Sequence, residues 1–205
     1  MRRAPRTDLT PEARESLGKS LFSDFLASRD LAEAVGTAQE LAAPGFGRVL
    51  VRLGVEKAFD SLDEAEQTAL ADLVVELAAA QALAAKDVRD AVGAFVAELG
   101  DIALDVPAAP RVLGRVLGCA AAAGLLGLDV LAAQAGCVED AEPRRALVAA
   151  ALHAARDAGG EDKLAELARA AELDLMKLLT HDPEFEAHLP SAAAFAEAQG
   201  LSALL

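Results

Sequence analysis

Two aspartates in the stretch Asp101-Ile102-Ala103-Leu104-Asp105-Val106-Pro107 are the residues whose types and spacing point most directly to chemistry. That chemistry is recognition. Two carboxylates straddle three apolar residues that can pin the segment down, leaving the acids outward to pair with Arg or Lys of another molecule. Pro107 fixes its own φ and pushes Val106 toward an extended conformation, so the stretch is expected to be a rigid loop between helices. A structural reading competes: Asp105 caps a helix beginning near Pro107, with proline at the first helical position. Both readings can hold for one residue, and residue types alone do not separate them.

Other candidates for chemistry are thinner. His181-Asp182-Pro183-Glu184-Phe185-Glu186-Ala187-His188 places two His and three acids within eight residues, where a surface metal site is conceivable. Its spacing matches no recognised ligand pattern, and Pro183 makes it a turn plus a short helix, so no metal site is assigned. A metal-dependent enzyme centred on His181 and His188 stays as an alternative from a different class. His153 sits in an Ala-rich helix and reads as packed or partly exposed. Cys119 and Cys137 lack metal-type spacing and read as two buried, reduced thiols of a cytosolic or nuclear protein. No nucleophile, base and oxyanion donors assemble, and no glycine loop follows a strand, because no strand pattern exists. The expectation is a protein without catalytic, cofactor or metal residues. Asp63, Glu64 and Glu66 read as solvated helix surface.

The elements that must position Asp101 and Asp105 are helices. Val88, Val92, Phe95, Val96 and Leu99 form a stripe at helical spacing that must face a core. Thr10-Pro11-Glu12 opens a first helix with a capping residue, proline and an early acid, and Leu17, Leu21, Phe25 and Leu26 give it an apolar face. Asp30 with Glu33 is a capping-box-like start. Further helices are expected over about 30–41, 44–59, 62–80, 86–99 and 107–123, then 129–135, 143–156, 161–171, 173–179 and 191–199. Short connections imply antiparallel neighbours. The fold class is all-α, a HEAT-type α-solenoid of stacked antiparallel helix pairs.

Composition narrows the partners. At 205 residues and 54% apolar, the chain can bury a sizeable core, yet it has no Trp or Tyr and only seven Phe. That core must be Ala, Leu and Val, which suits closely packed helices. Net charge is −14, with acids in excess in both halves, and no basic stripe with interleaved aromatics occurs. Such a surface repels phosphate backbones, so no direct nucleic-acid binding is expected and a basic protein surface is the natural partner. No apolar run follows Arg2, Arg3 and Arg6, so no signal peptide is expected. The longest apolar run, 116–128, is too short to cross a bilayer.

The ordered series of landmarks resembles a known family. Ser28-Arg29-Asp30-Leu31-Ala32-Glu33-Ala34-Val35, Glu40-Leu41-Ala42-Ala43-Pro44-Gly45-Phe46, Val55-Glu56-Lys57-Ala58-Phe59, the Asp101–Pro107 stretch and Ala108-Ala109-Pro110-Arg111-Val112-Leu113 follow one another as in the MI (MA-3) domain. The resemblance runs from about Leu17 to Leu126. It is closest to the region of translation initiation factor 4-gamma that binds the helicase initiation factor 4A. Five positions depart from the family: Ala91-Val92 replaces a Gly-aromatic pair, Phe25 a Tyr, and Gly47-Arg48 polar residues. The segments 147–152, 163–168 and 171–176 resemble the extension that follows the domain in the 4-gamma scaffold, without its Trp.

The resemblance implies residues 1–10 as a basic flexible N-terminus, 11–126 as the MI (MA-3) domain and 127–205 as a helical extension of the same solenoid. It also implies that Asp101, Asp105, Val106 and Pro107 contact the amino-terminal RecA-like lobe of the DEAD-box RNA helicase initiation factor 4A. The expected role is a non-catalytic, cytoplasmic, monomeric scaffold that modulates that helicase, with no cofactor. A translational repressor of the same helicase, of the programmed-cell-death-4 type, and a nuclear MI-domain scaffold for another helicase are the alternatives.

Overall fold

The computed structural model describes residues 3–180, 191–201 and 204. Among the described residues all regular structure is helical, as the periodicity requires. The helices are α1 (Pro11–Ser28), α2 (Leu31–Glu40), α3 (Phe46–Asp60), α4 (Glu64–Ala79), α5 (Ala85–Val96), α6 (Leu99–Asp105), α7 (Ala109–Ala122), α8 (Leu128–Ala135), α9 (Ala141–Gly159), α10 (Glu161–Ala170), α11 (Leu175–Leu179) and α12 (Ala192–Ala198). The chain divides into two compact units, Met1–Val92 and Gly93–Leu205, and the division falls within α5.

In the first unit the sequence signals for helix starts become hydrogen bonds. Thr10 Oγ1 accepts from the Ala13 N–H at 3.2 Å, with Pro11 opening α1. Asp30 Oδ1 accepts from the Glu33 N–H at 3.0 Å. The Glu33 carboxylate does not complete a capping box: the Asp30 N–H donates to Ser28 Oγ at 3.2 Å, and Glu33 pairs with Arg3. Asp63 is exposed, as read, and is also the cap of α4, its Oδ1 accepting from the Ala65 N–H at 2.8 Å. Glu66 likewise has a structural partner, accepting from Ser61 Oγ at 2.7 Å.

Helices α1 and α3 run in the same direction, with α2 returning between them. Gly18 meets Leu50 and Leu53, and one turn further on Phe22 meets Gly54. Leu21, Phe22, Leu50, Leu70, Leu73 and Leu77 fill the core, the Ala/Leu/Val-rich interior that the lack of large aromatics demands. The buried Arg14 sends Nη1 to the Leu41 carbonyl at 2.6 Å and Nη2 to the Arg6 carbonyl at 3.0 Å. Ahead of α1, residues from Arg3 onward contact α2. Arg3 pairs with Glu33 and Glu40, its N–H donates to Gln39 Oε1 at 2.8 Å, and the Arg6 N–H donates to the Glu40 carbonyl at 2.8 Å.

The second unit is organised by α7 and α9. Gly114 lies against Leu147, Ala150 and Ala151, and Gly118 against Ala151 and Ala154, so these helices are parallel and their backbones nearly touch. The fully buried Arg144 of α9 closes the preceding turn, with Nε to the Val138 carbonyl at 2.9 Å and Nη2 to the Glu139 carbonyl at 2.7 Å. His153 Nε2 lies 2.9 Å from the Gln199 carbonyl, a packing role that ties the end of α12 to α9. The expectation of two buried thiols is corrected: both cysteines are free, but Cys119 is half-buried and Cys137 exposed, because the turn after α8 leaves Cys137 outside while Val138 goes in. The His181–His188 cluster lies outside the described residues. Among those described, no helix is long and apolar enough to cross a membrane.

Candidate functional site

Asp101 and Asp105 do not stand on a loop. One helix was expected through Leu99, with a loop after it; α5 stops at Val96 instead. The Ala97 N–H still reaches the Gly93 carbonyl at 3.1 Å, but the Glu98 N–H bonds Phe95 at 3.2 Å, one residue short of helical register. The chain then re-enters helix as α6, whose first residue, Leu99, is buried and anchors it. Of the stripe, Val88, Val92, Val96 and Leu99 are buried and Phe95 is half-buried, so the same pattern serves one helix or two. That is why the break is silent in the sequence.

Helix α6 carries both acids on one face, four residues and about one turn apart. Both are exposed, and no ion pair among the described residues ties down either carboxylate. Leu104, beside them, is 81% exposed, an unusual position for a large aliphatic side chain. Ile102 and Ala103 are half-buried. Of the three apolar residues between the acids, then, two face partly inward and the third accompanies the acids outward.

The end of α6 is fixed by proline chemistry. Val106, preceding Pro107, takes φ −125° and ψ 82°, outside the helical region. Its N–H donates to the Ile102 carbonyl at 2.8 Å, and its own carbonyl accepts from the Ala109 N–H at 2.9 Å. The connection is therefore as rigid as the sequence implied. The capping alternative is not realised. Helix α7 is led in by Ala108 with no side-chain cap, and the proline in its first turn is the buried Pro110, not Pro107. Asp105 is free of that structural duty, while Val106 is half-buried and Pro107 exposed.

Beside α6 opens a groove of about 680 Å³, walled by α6 and by the start of α9. Asp140 and Glu142 join Asp101 along it, and the Asp140 carboxylate lies over Gly100, occupying the space a Cβ would need. Sequence reasoning missed Gly100, Asp140 and Glu142. The run Asp140-Ala141-Glu142-Pro143 looks like a helix start, but nothing local says that it meets α6 some forty residues earlier. Among the described residues no group of three or more His, Cys, Asp or Glu side chains is placed to hold a metal ion. What this surface can do is offer carboxylates and an exposed leucine to a basic, partly apolar protein surface.

An all-helical scaffold presenting a short acidic helix of this kind defines a protein-interaction module. Residues 15–127, more than half of the chain, match the MA3 domain, and the chain belongs to that family. MA3 domains are helical protein-interaction domains found in translation-related proteins, and are generally non-catalytic. No curated protein matches the chain. The match takes in α6 and α7 but ends before Asp140, Arg144 and the whole of α9.

Proposed function

We propose that this MA3 domain is a non-catalytic scaffold in translation initiation that grips a DEAD-box RNA helicase of the initiation factor 4A kind. The observation that carries the reading is the exposed pair Asp101 and Asp105 on one face of α6, beside the 81% exposed Leu104. A helicase handles RNA and so presents Arg and Lys, to which outward carboxylates are complementary, and a net charge of −14 steers the encounter. Val106 and Pro107 set the angle at which α6 is shown. The resemblance to the 4-gamma scaffold supports this partner and a cytoplasmic, monomeric setting. Any effect on the helicase then follows from unequal affinity for its open and closed states.

Titration calorimetry with initiation factor 4A tests the proposal. Saturable binding is expected, and Asp101→Ala or Asp105→Ala weakens it by about 1–3 kcal/mol with unchanged circular dichroism. Absence of binding by the wild-type chain would remove this partner and turn the search to a nuclear helicase. An RNA-stimulated ATPase assay of the complex then separates an activating scaffold from a repressor.

A further inference from the structure

The groove beside α6 has a composition that selects its occupant. Every charged side chain lining it is acidic: Asp101 from α6, and Asp140 and Glu142 from the start of α9. The rest of the lining is apolar, with Leu104, Pro107 and Pro143 prominent and the buried Pro110 behind them. Among the described residues no lysine, arginine or histidine lines it. Asp140 leads into α9 yet makes no cap hydrogen bond with its side chain, so its carboxylate is directed to the groove and not to the helix. An aliphatic partner residue would leave three carboxylates facing apolar atoms, and an acidic one would be repelled. A side chain with an apolar stem and a cationic, multiply donating head fits both halves of the lining.

We infer that the groove is a subsite for an arginine side chain of the protein partner, so that the partner's footprint crosses from the MA3 match onto α9. The stem lies along Leu104, Pro107 and Pro143, and the guanidinium is shared by carboxylates on the two walls. Arginine is favoured over lysine because its planar fork donates to two acids at once and is more weakly hydrated. This rests on the reading of α6 as the partner-binding face. Asp105 does not line the groove, so the two parts of the footprint can be cut separately.

The test uses the full chain and two readouts. In ¹⁵N–¹H spectra, titration with Nα-acetyl-arginine amide is expected to shift the amides of Gly100, Leu104, Ala141 and Ala146 selectively. Nα-acetyl-lysine amide shifts them less, and Asp140→Asn with Glu142→Gln removes the response. Asn and Gln keep the size of the two side chains and remove their charge, and Ala146→Leu, which fills the groove without changing charge, serves as a second variant. Against initiation factor 4A, both variants are expected to weaken binding about tenfold, comparable with one lost charged interface pair. Shifts spread evenly over all acidic faces, or no shift, would overturn the subsite. Localised shifts with unchanged helicase affinity would overturn its place in the footprint while leaving the α6 reading intact. If the wild-type chain fails to bind the helicase, that reading falls, and the arginine probe alone decides the groove.

Discussion

Gly118 of α7 rests on the backbone of Ala151 in α9, so close that a Cβ on Gly118 would overlap the Ala151 carbonyl oxygen. Gly114 one turn earlier meets the Leu147 carbonyl in the same way. Because the obstacle is backbone, no rotamer change relieves it. The packing of the second unit therefore depends on two hydrogen atoms where any other residue has a side chain.

Gly118→Ala should accordingly destabilise the protein by about 2–3 kcal/mol, the usual cost of overpacking, despite a helix-propensity gain of about 1 kcal/mol. Gly136→Ala is the contrast. Gly136 has φ −63°, and a Cβ there meets nothing nearer than 3.5 Å, so stability should hold or rise slightly. Urea unfolding of the two variants checks both signs; equal behaviour would show that the α7–α9 contact is looser than described.

Arg144 is 1% exposed and holds two carbonyls of the turn before α9. Arg144→Ala removes two charge-assisted hydrogen bonds, the one to the Val138 carbonyl buried, an expected loss of about 3 kcal/mol. Arg144→Lys keeps the charge but cannot reproduce the fork, and should recover only part of it. Chemical denaturation gives the totals, and hydrogen exchange at Val138 to Asp140 locates the loosening.

The acids of α6 sit at opposite ends of its dipole. Asp101 is in the first turn, where negative charge is favourable, and Asp105 is the last residue, where it is not. Asp101→Asn should cost a few tenths of a kcal/mol at low salt, and Asp105→Asn should return a similar amount. If Asp105 serves binding as proposed, its neutralisation makes a slightly more stable protein that binds less well. Paired melting and calorimetry on the two variants expose that split. A large stability loss from Asp105→Ala would instead restore a capping role, since Asn would still cap.

The Arg3 guanidinium, by hydrogen bonding and charge, holds the Glu33 carboxyl below its ordinary value, and Arg6 acts likewise on Asp8. A carboxylate with a lowered folded pKa stabilises above its unfolded value and loses that contribution as pH falls through the folded one. The segment from Arg3 to Asp8 should therefore stay on α2 at neutral pH and come away below about pH 4. Protection factors for the Arg3 and Arg6 amides, which bond Gln39 and Glu40, report it. Glu33→Gln should weaken the same protection at pH 7, and high salt should do so in part.

Local chemistry alone determined most of the helices. Thr10 and Asp30 announce the starts of α1 and α2, and the 3.6-residue repeat marks which residues turn inward, whereas Pro107, read as opening a helix, follows the end of α6. It also picked out Asp101 and Asp105 as outward acids, because they straddle three apolar residues, and both are exposed. The tertiary structure decided the rest. Whether the acids ride a loop or a helix turned on one misplaced hydrogen bond at Glu98, which a stripe compatible with both cannot reveal. The burial of Arg14 against Leu41 and the meeting of Gly118 with Ala151 or Gly100 with Asp140 depend on segments far apart in sequence. Periodicity fixes which face of a helix is apolar; it carries no information about which other helix that face will meet, since any apolar stripe can cover any other. That choice is made only when all the faces are packed together.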